Sequence, residues 1–428
     1  MRSSSARGSK SYGTVVAAAV VAAGCALSPL CIRECRAEDS VTETIADSLK
    51  GDWGQIKLNL RYRYEHVQQD GLLDGEADPL RLKLGYLSPE YAGFQGYIEG
   101  IGNTTIFFDD YNDTVSGDKE AYSSIADPEE TELNQLWVSW EPVEETVVKG
   151  GRQRLLYDNG RFVHTQAFRQ LEQTFDAASV FSKTLGNFSV NAAYVFGVLD
   201  VKANEKDMQT PLLNLKYSFP GIGALTGYGY WLDYDDAEDS QSFMYSTQTM
   251  GVRFAGKAAV QEDFSLLYEA EYANQSDYGD NPTAFDADYY HLNGGVFFPL
   301  AGSLIKKVTA KIGYEVLGSD NGVPFQTPLG ANHKFNGWAD IFGKNKPAGG
   351  LQDLYGSLGM GIGPVTLDLV YHTFQADAGD SDYGTEFDVK LSWTIQEHYT
   401  LAASLATYDA DEYKQDTEKI WLELIVDF

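Results

Sequence analysis

The sequence predicts an all-β protein: a single transmembrane antiparallel β-barrel of about 18 strands, with short turns at one end and long loops at the other. Three observations predict it. Period-two alternation of apolar and polar residues recurs after residue 40, with no sustained helical periodicity. The segments joining the alternating runs are by turns long and short. The chain closes on an amphipathic strand whose last residue is Phe428.

Composition supports this class by exclusion. Among 428 residues, 62 acids face 32 Lys and Arg, a formal charge of −30, the wrong sign for a protein that must neutralise phosphates. With 43% hydrophobic and 13% aromatic residues, the chain has too much apolar material for disorder. Mean hydropathy is −0.30, and the one long apolar stretch sits at the N-terminus, which excludes a helical membrane bundle.

That stretch reads as a secretory leader, residues 1–37. Arg2, Arg7 and Lys10 form a basic start, Val15 to Ala26 is apolar, and Cys35-Arg36-Ala37 ends on small residues suited to cleavage after Ala37. The apolar core is short for an uncleaved anchor, and Ala22-Ala23-Gly24-Cys25 lacks the leucine usual in a lipoprotein. All three cysteines (Cys25, Cys31, Cys35) lie in the leader, so disulfides, thiolate metal sites and cysteine nucleophiles are excluded from the mature chain. The leader holds five bases and one acid, and its removal takes the charge from −30 to −34. Residues 38–52 read as a short periplasmic segment and 53–428 as the barrel.

The first strand sets the pattern. Ile56, Leu58, Leu60, Tyr62 and Tyr64 share one face, while Lys57, Asn59, Arg61, Arg63 and Glu65 share the other, as a sheet between lipid and water requires. Long linkers are expected at 67–77, 108–130, 156–173, 197–210, 233–245, 273–286, 317–350, 373–383 and 408–417. Short turns such as Ser88-Pro89-Glu90, Pro220-Gly221 and Gly363-Pro364 fall between them. A Greek-key sandwich has no reason to keep such parity. Tyr64, Tyr86, Trp140, Trp231 and Trp393 are candidates for interfacial girdles. In the last strand Ile420, Leu422, Leu424, Val426 and Phe428 form one apolar face, resembling the signal read by the barrel-assembly machinery, with Phe428 as its terminal mark.

Charge is unevenly placed. Seven of the nine long linkers hold 29 acids against four bases. The densest run, Asp233 to Asp239, lacks the glycine-turned spacing of an EF-hand and reads as a solvated loop. The strand register assigns eleven bases inward: Lys57, Arg61, Arg63, Arg81, Lys83, Arg152, Arg154, Lys216, Arg253, Lys311 and Lys390. Eleven acids face them: Glu65, Glu99, Asp176, Glu269, Glu271, Glu315, Asp353, Asp368, Glu386, Asp388 and Glu423. Seven of the bases come from the first five strands. Two readings follow: a basic wall that guides an anionic solute, or cross-strand pairs that hold the barrel shape.

The linkers 156–173 and 317–350 differ from the rest. They are not acidic and carry Phe162, Phe168, Phe335, Trp338 and Phe342, so they are expected to pack into the pore mouth as constriction or gating elements, with Lys334 and Asp340 among their polar residues. Here Gly151-Arg152-Gln153, Tyr157-Asp158-Asn159-Gly160-Arg161-Phe162, Phe168-Arg169-Gln170 and Gln173-Thr174-Phe175-Asp176-Ala177 resemble the alginate export porin family. So do His333-Lys334-Phe335-Asn336-Gly337-Trp338-Ala339-Asp340 and Gly350-Leu351-Gln352-Asp353-Leu354-Tyr355. The resemblance spans the mature chain and implies an 18-stranded outer-membrane barrel of a Gram-negative bacterium, passing a polyuronate by diffusion. It further implies that Arg152, Arg161 and Arg169 contact substrate carboxylates and that Arg154, Arg61 and Arg63 continue the path, a role suited to the planar guanidinium.

The six histidines show no metal-ligand spacing and no serine motif accompanies them. No cofactor, no metal and no catalytic residue is expected. The expected partners are outer-membrane lipid, the assembly machinery, an anionic saccharide and periplasmic export components, with the channel a monomer. Uptake of small solutes through the same pore and a barrel-borne enzyme or adhesin stand as alternatives.

Overall fold

The computed structural model describes residues 42–235, 242–344 and 346–428. The leader with its three cysteines, and residues 236–239 of the acidic run, lie outside the described residues.

Eighteen strands form the wall. They are β1 (Gly54–Gln69), β2 (Pro79–Leu87), β3 (Phe94–Thr105), β4 (Glu130–Val143), β5 (Thr146–Gln153) and β6 (Thr174–Leu185). β7 (Phe188–Leu199), β8 (Glu205–Phe219), β9 (Gly223–Leu232), β10 (Thr247–Gln261), β11 (Phe264–Asp277) and β12 (Asp286–Pro299) follow. β13 (Ile305–Leu317), β14 (Leu351–Ile362), β15 (Val365–Gln375), β16 (Asp382–Ile395), β17 (Tyr399–Ala410) and β18 (Thr417–Asp427) complete it. Each pairs antiparallel with its neighbours in sequence, and β1 pairs with β18 from Asn59↔Asp427 to Gln69↔Thr417. The sheet is closed, which leaves no unpaired edge to meet hydrocarbon. Among the described residues no helix is long and apolar enough to cross a membrane.

The connections at one end run from two residues (144–145) to six (88–93), whereas the other end carries 106–129, 154–173, 233–246 and 318–350. Four linkers at the long-loop end are clearly shorter than the alternation of residues suggests: 200–204, 278–285, 376–381 and 411–416 in place of 197–210, 273–286, 373–383 and 408–417. The hydrogen-bond ladder does not need an apolar face to continue, so the strands run on through polar residues such as Glu205 and Asp207, with a bulge before Thr210.

The predicted register of β1 is the observed one. Arg61, Arg63 and Glu65 are buried inside, and Leu82, Leu84, Tyr86 and Ile98 on the neighbouring strands are exposed outside. Tyr86 and Trp140 lie on that outer surface, Tyr86 donating to the Trp53 carbonyl and Trp140 stacking on Phe94. In β18 Leu422 and Leu424 face outward, and the backbone of Phe428 exchanges two 2.8 Å hydrogen bonds with Leu58.

The long-loop half of the interior is a packed core. Residues 154–173 and 318–350 fold into the lumen, where Leu155, Val163, Phe325, Leu329 and Phe342 bury against inward residues such as Tyr289, Phe374, Tyr408 and Trp421.

Candidate functional site in the barrel lumen

The turn at 157–161 is built locally. Asp158 and Gly160 both adopt left-handed backbone, the Gly160 N–H closes onto the Tyr157 carbonyl at 2.9 Å, and Asn159 Oδ1 accepts the Arg161 N–H at 3.0 Å. The turn drives Arg161 into the interior, where it is 1% exposed. Its Nη2 donates to Glu315 Oε2 (3.0 Å) and Asn336 Oδ1 (2.8 Å), and the guanidinium lies 4.7 Å from the Phe335 ring centroid. Phe162 beside it packs among Tyr228, Tyr289 and Phe325.

The second loop is clamped by the opposite wall. Asn336 and Gly337 are consecutive left-handed residues. A Cβ on Gly337 would sit 2.3 Å from Glu386 Oε2, so only glycine fits. The Ala339 N–H donates to Glu386 Oε1 at 2.6 Å, the Trp338 N–H to Asp388 Oδ2 at 3.4 Å, and Asn336 Nδ2 to Glu315 and Asp353. The inward acids of β13, β14 and β16 therefore hold this loop's backbone and amides.

The two loops meet in the middle. Arg169 Nη2 lies 2.7 Å from Asp340 Oδ2, His333 Nδ1 lies 3.0 Å from Asp340 Oδ1, and the His333 ring stacks on Phe168 at 9°. Backbone bonds from Ala331 to Gly160 and from His164 to Leu329 add to the junction. Burial opposes the Arg169 charge, but Glu65, Asp340 and Asp127 outweigh it and hold the group protonated above its ordinary range. Burial also pushes His333 below its ordinary value despite Asp340, while His333, Lys419 and Arg169 hold the Asp340 carboxyl well below the usual carboxylate range against its burial.

The near wall supports the first loop from behind. Arg61 donates to Gln170 Oε1 (2.6 Å) and to the carbonyls of Ala167 and Arg169. Arg63, fully buried, bonds Glu423 Oε1 (3.0 and 2.8 Å) and the Phe168 carbonyl, with Asp127 at 3.6 Å. Arg81 bonds Asn59 and the Gln170 carbonyl. Glu172 takes Arg154 and has Lys83 at 3.8 Å, and Glu99 takes Arg154 at 2.9 Å. Asp127 reaches this network from loop 106–129 and accepts the Gln170 N–H at 2.7 Å. In the sequence it lies among the acids of a long acidic loop, and no local signal marks it.

Arg152 requires a correction. Its Cα partner on β4 is Leu136, which is half exposed on the outer surface, whereas Gln135 and Trp137 on either side line an inner cavity. Paired residues share a face, so Arg152 and its partner Asp176 point outward. Arg152 bonds both Asp176 oxygens (2.9 and 2.8 Å) and Glu205 (2.7 Å). The alternation fails here because Gly151 takes a left-handed φ and Gln153, not Arg152, turns inward onto the Ala177 carbonyl. Arg61, Arg63 and Arg161 do face inward but are buried in these contacts and do not border open space.

Two cavities lined by described residues lie in the short-turn half. One of about 360 Å³ is lined by Lys57, Asn59, Lys83, Tyr97, Glu99, Trp137 and Arg154. The other, about 870 Å³, lies against β12–β16, with Lys307, Lys311, Lys390 and Lys334 beside Phe335, Trp338 and Tyr355. Lys334 Nζ is held by the Asn159 carbonyl at 2.6 Å. The lumen histidines bond carboxylates or tyrosine: His291 Nε2 lies 3.0 Å from the Tyr355 hydroxyl, and His372 Nδ1 lies 2.8 Å from Asp353.

A family model described as alginate export matches residues 52–316. The fold is that of several solved channels. OpdK of Pseudomonas aeruginosa, solved with vanillate, superposes with a TM-score of 0.65 at 17% identity, covering 87% of this chain and 98% of that one. OccAB2 of Acinetobacter baumannii gives 0.67 at 15%, covering 89% and 100%, and OccAB3 of the same organism gives 0.66 at 13%, covering 87% and 99%. A search of curated protein sequences finds no match.

Proposed function

The chain belongs to the alginate export family and is an integral outer-membrane β-barrel channel, and from that premise we propose that it passes an acidic saccharide by passive diffusion through a lumen gated by its own loops. The observation that supports this reading most is the nature of the closure. The lumen is narrowed by two loops held through ion pairs and stacked rings, chief among them Arg169–Asp340 and Phe168–His333. Such contacts separate as rigid units and leave an intact wall behind. Once the loops part, Arg61 and Arg169 border the space that their acceptors vacate, while Arg63 keeps Glu423 on the wall. Their planar donors suit the carboxylates of a uronate chain, and many weak contacts favour conduction over capture.

A second reading has its own support. The cavity of about 870 Å³, with Tyr355 and Trp338 near Lys311 and Lys390, is large enough for one small aromatic acid without loop movement, and a channel of the same fold was solved with vanillate. Planar-bilayer recordings separate the two. Anion selectivity with current block by uronate oligomers is the expected result. Block by small aromatic acids alone would favour the second reading, and cation selectivity would overturn both.

A further inference from the structure

The inner face of β11 and β12 gathers three ligand-type side chains. Glu269 and Glu271 are two residues apart on β11 and so share a face, and Glu271 stands directly opposite both Arg253 on β10 and His291 on β12. One ligand atom from each of Glu269, Glu271 and His291 lies within 4.8 Å of the other two. His291 Nδ1 is 3.4 Å from Glu269 Oε1, close to the separation of about 3.3 Å between two ligands of a tetrahedral zinc ion. Spacing along the chain gives no sign of this trio, because strand register and not sequence proximity brings His291 to Glu271.

Each member is oriented through one atom and leaves another unused. The Tyr228 hydroxyl donates to Glu271 Oε1 at 2.7 Å, whereas the buried Oε2 has no hydrogen-bond partner among the described residues, with Arg253 Nε 3.6 Å away. The Tyr355 hydroxyl accepts Asn293 Nδ2 at 2.7 Å and lies 3.0 Å from His291 Nε2, whereas the buried Nδ1 has no hydrogen-bond partner among the described residues. Glu271 is 5% exposed and His291 4%. Glu269 is held by Arg253 Nε and Asn159 Nδ2, 2.8 and 2.9 Å from its Oε1. With the imidazole proton on Nε2, Nδ1 presents a lone pair to two carboxylates, and only a proton or a cation between them relieves that arrangement. Ligands whose other polar atom is fixed by a supporting partner are the way metal sites are held in register.

We propose that Glu269, Glu271 and His291 bind one divalent transition-metal ion on the lumen wall, with zinc the best fit. Two carboxylates and one imidazole suit a borderline cation, whereas calcium wants six or more oxygens. The ion reaches the trio through the larger cavity, which Glu269 and His291 line, and water completes its coordination. Arg253 offsets one of the two carboxylate charges, and the other attracts the ion. Because Asn159 ties Glu269 to the 157–161 turn, the bound metal braces the first loop against the wall. The site stands whichever solute the pore carries.

Full-length barrel in detergent, stripped with chelator and dialysed against zinc chloride alone, tests this. About one zinc ion per barrel should bind beyond what His291→Gln or Glu271→Gln retains. X-ray absorption at the zinc edge should show one imidazole in the ligand shell, a signature that zinc scattered on acidic loops lacks. Tyr355→Phe, which keeps all three ligands but frees the imidazole, should weaken binding about tenfold. Heat-modifiable gel mobility checks assembly, and Tyr355→Phe carries the test if neither ligand variant assembles. Equal zinc in the wild type and the assembled variants overturns the site. Calcium bound in preference to zinc, and unaltered by His291→Gln, overturns it as well.

Discussion

In the long-loop half of the lumen, Arg61, Arg63, Arg81, Arg161 and Arg169 are each held by carboxylates, amides or carbonyls. In the short-turn half, Lys57, Lys307, Lys311 and Lys390 border open cavities and, among the described residues, form no ion pair within 4 Å. Both regions are basic when read from the chain, yet they hold their charge in opposite ways. The difference follows from the side chains. A guanidinium offers five donors in a plane and can satisfy several acceptors when buried, whereas an ammonium is compact and strongly hydrated. The arginines therefore build the closure, and the lysines stay in water where a solute meets them. Count and sign of charge do not reveal which role a cation plays.

The sharpest way to break this contrast is Asp340→Asn. It removes the carboxylate shared by Arg169, His333 and Lys419. A buried pair deprived of one partner loses about 3 kcal/mol or more, and Glu65, 3.5 Å from Arg169, keeps the loss at the lower end. The loops should separate more often, seen as a higher single-channel conductance and faster proteolysis within 318–350. Unaltered conductance and cleavage would mean that other contacts hold the closure.

How much of this was legible follows the same division. Strand number, closure and the face of β1 and β18 were readable because side-chain alternation with lipid on one side leaves a period-two trace. The two inward loops were readable because aromatics and the lack of an acid excess set 156–173 and 317–350 apart from acidic neighbours. What could not be read was pairing. Nothing near Asp127 distinguishes it from the solvated acids of its loop, and its partners Arg63 and Gln170 are distant in sequence. Arg152 was misplaced because one left-handed glycine shifts the register. Lys307 carries no clear signal because it sits close to a short turn, where alternation is weakest.

A smaller effect is expected from acid. Burial holds His333 below its ordinary value, so the docked loop favours the neutral ring and the undocked loop takes up the proton. Docking is thus at full strength above about pH 6.5 and weakens as pH falls through the histidine range. The loss is at most about 1.4 kcal/mol per pH unit. Asp340, Arg169 and Arg63 face the ring, with Lys419 behind Asp340, and Asp340 stays ionised throughout this window, which tempers the loss. Open probability should rise between pH 7.5 and 5.5, and His333→Phe should abolish the rise. A rise that persists in that variant would place the sensor elsewhere.

The smallest effect is predicted for Arg152, one of the three arginines that the family resemblance implies as solute contacts. Arg152 has both carboxylate neighbours and the inward-seeming alternation expected of a solute contact, yet it faces outward with Asp176 and Glu205. Glu205 is largely exposed, so the cluster is partly screened and its loss costs about 1 kcal/mol or less. Arg152→Ala should therefore leave the anion-to-cation permeability ratio and the uronate block as they are, with a slight fall in the unfolding midpoint. The same substitution at a lumen cation, Lys311→Ala, should lower anion preference without a stability cost, since no partner is stranded. Were Arg152→Ala to shift selectivity as much as Lys311→Ala, position on the wall would not decide which cations the solute meets, and the division between holding and receiving charges would fail with it.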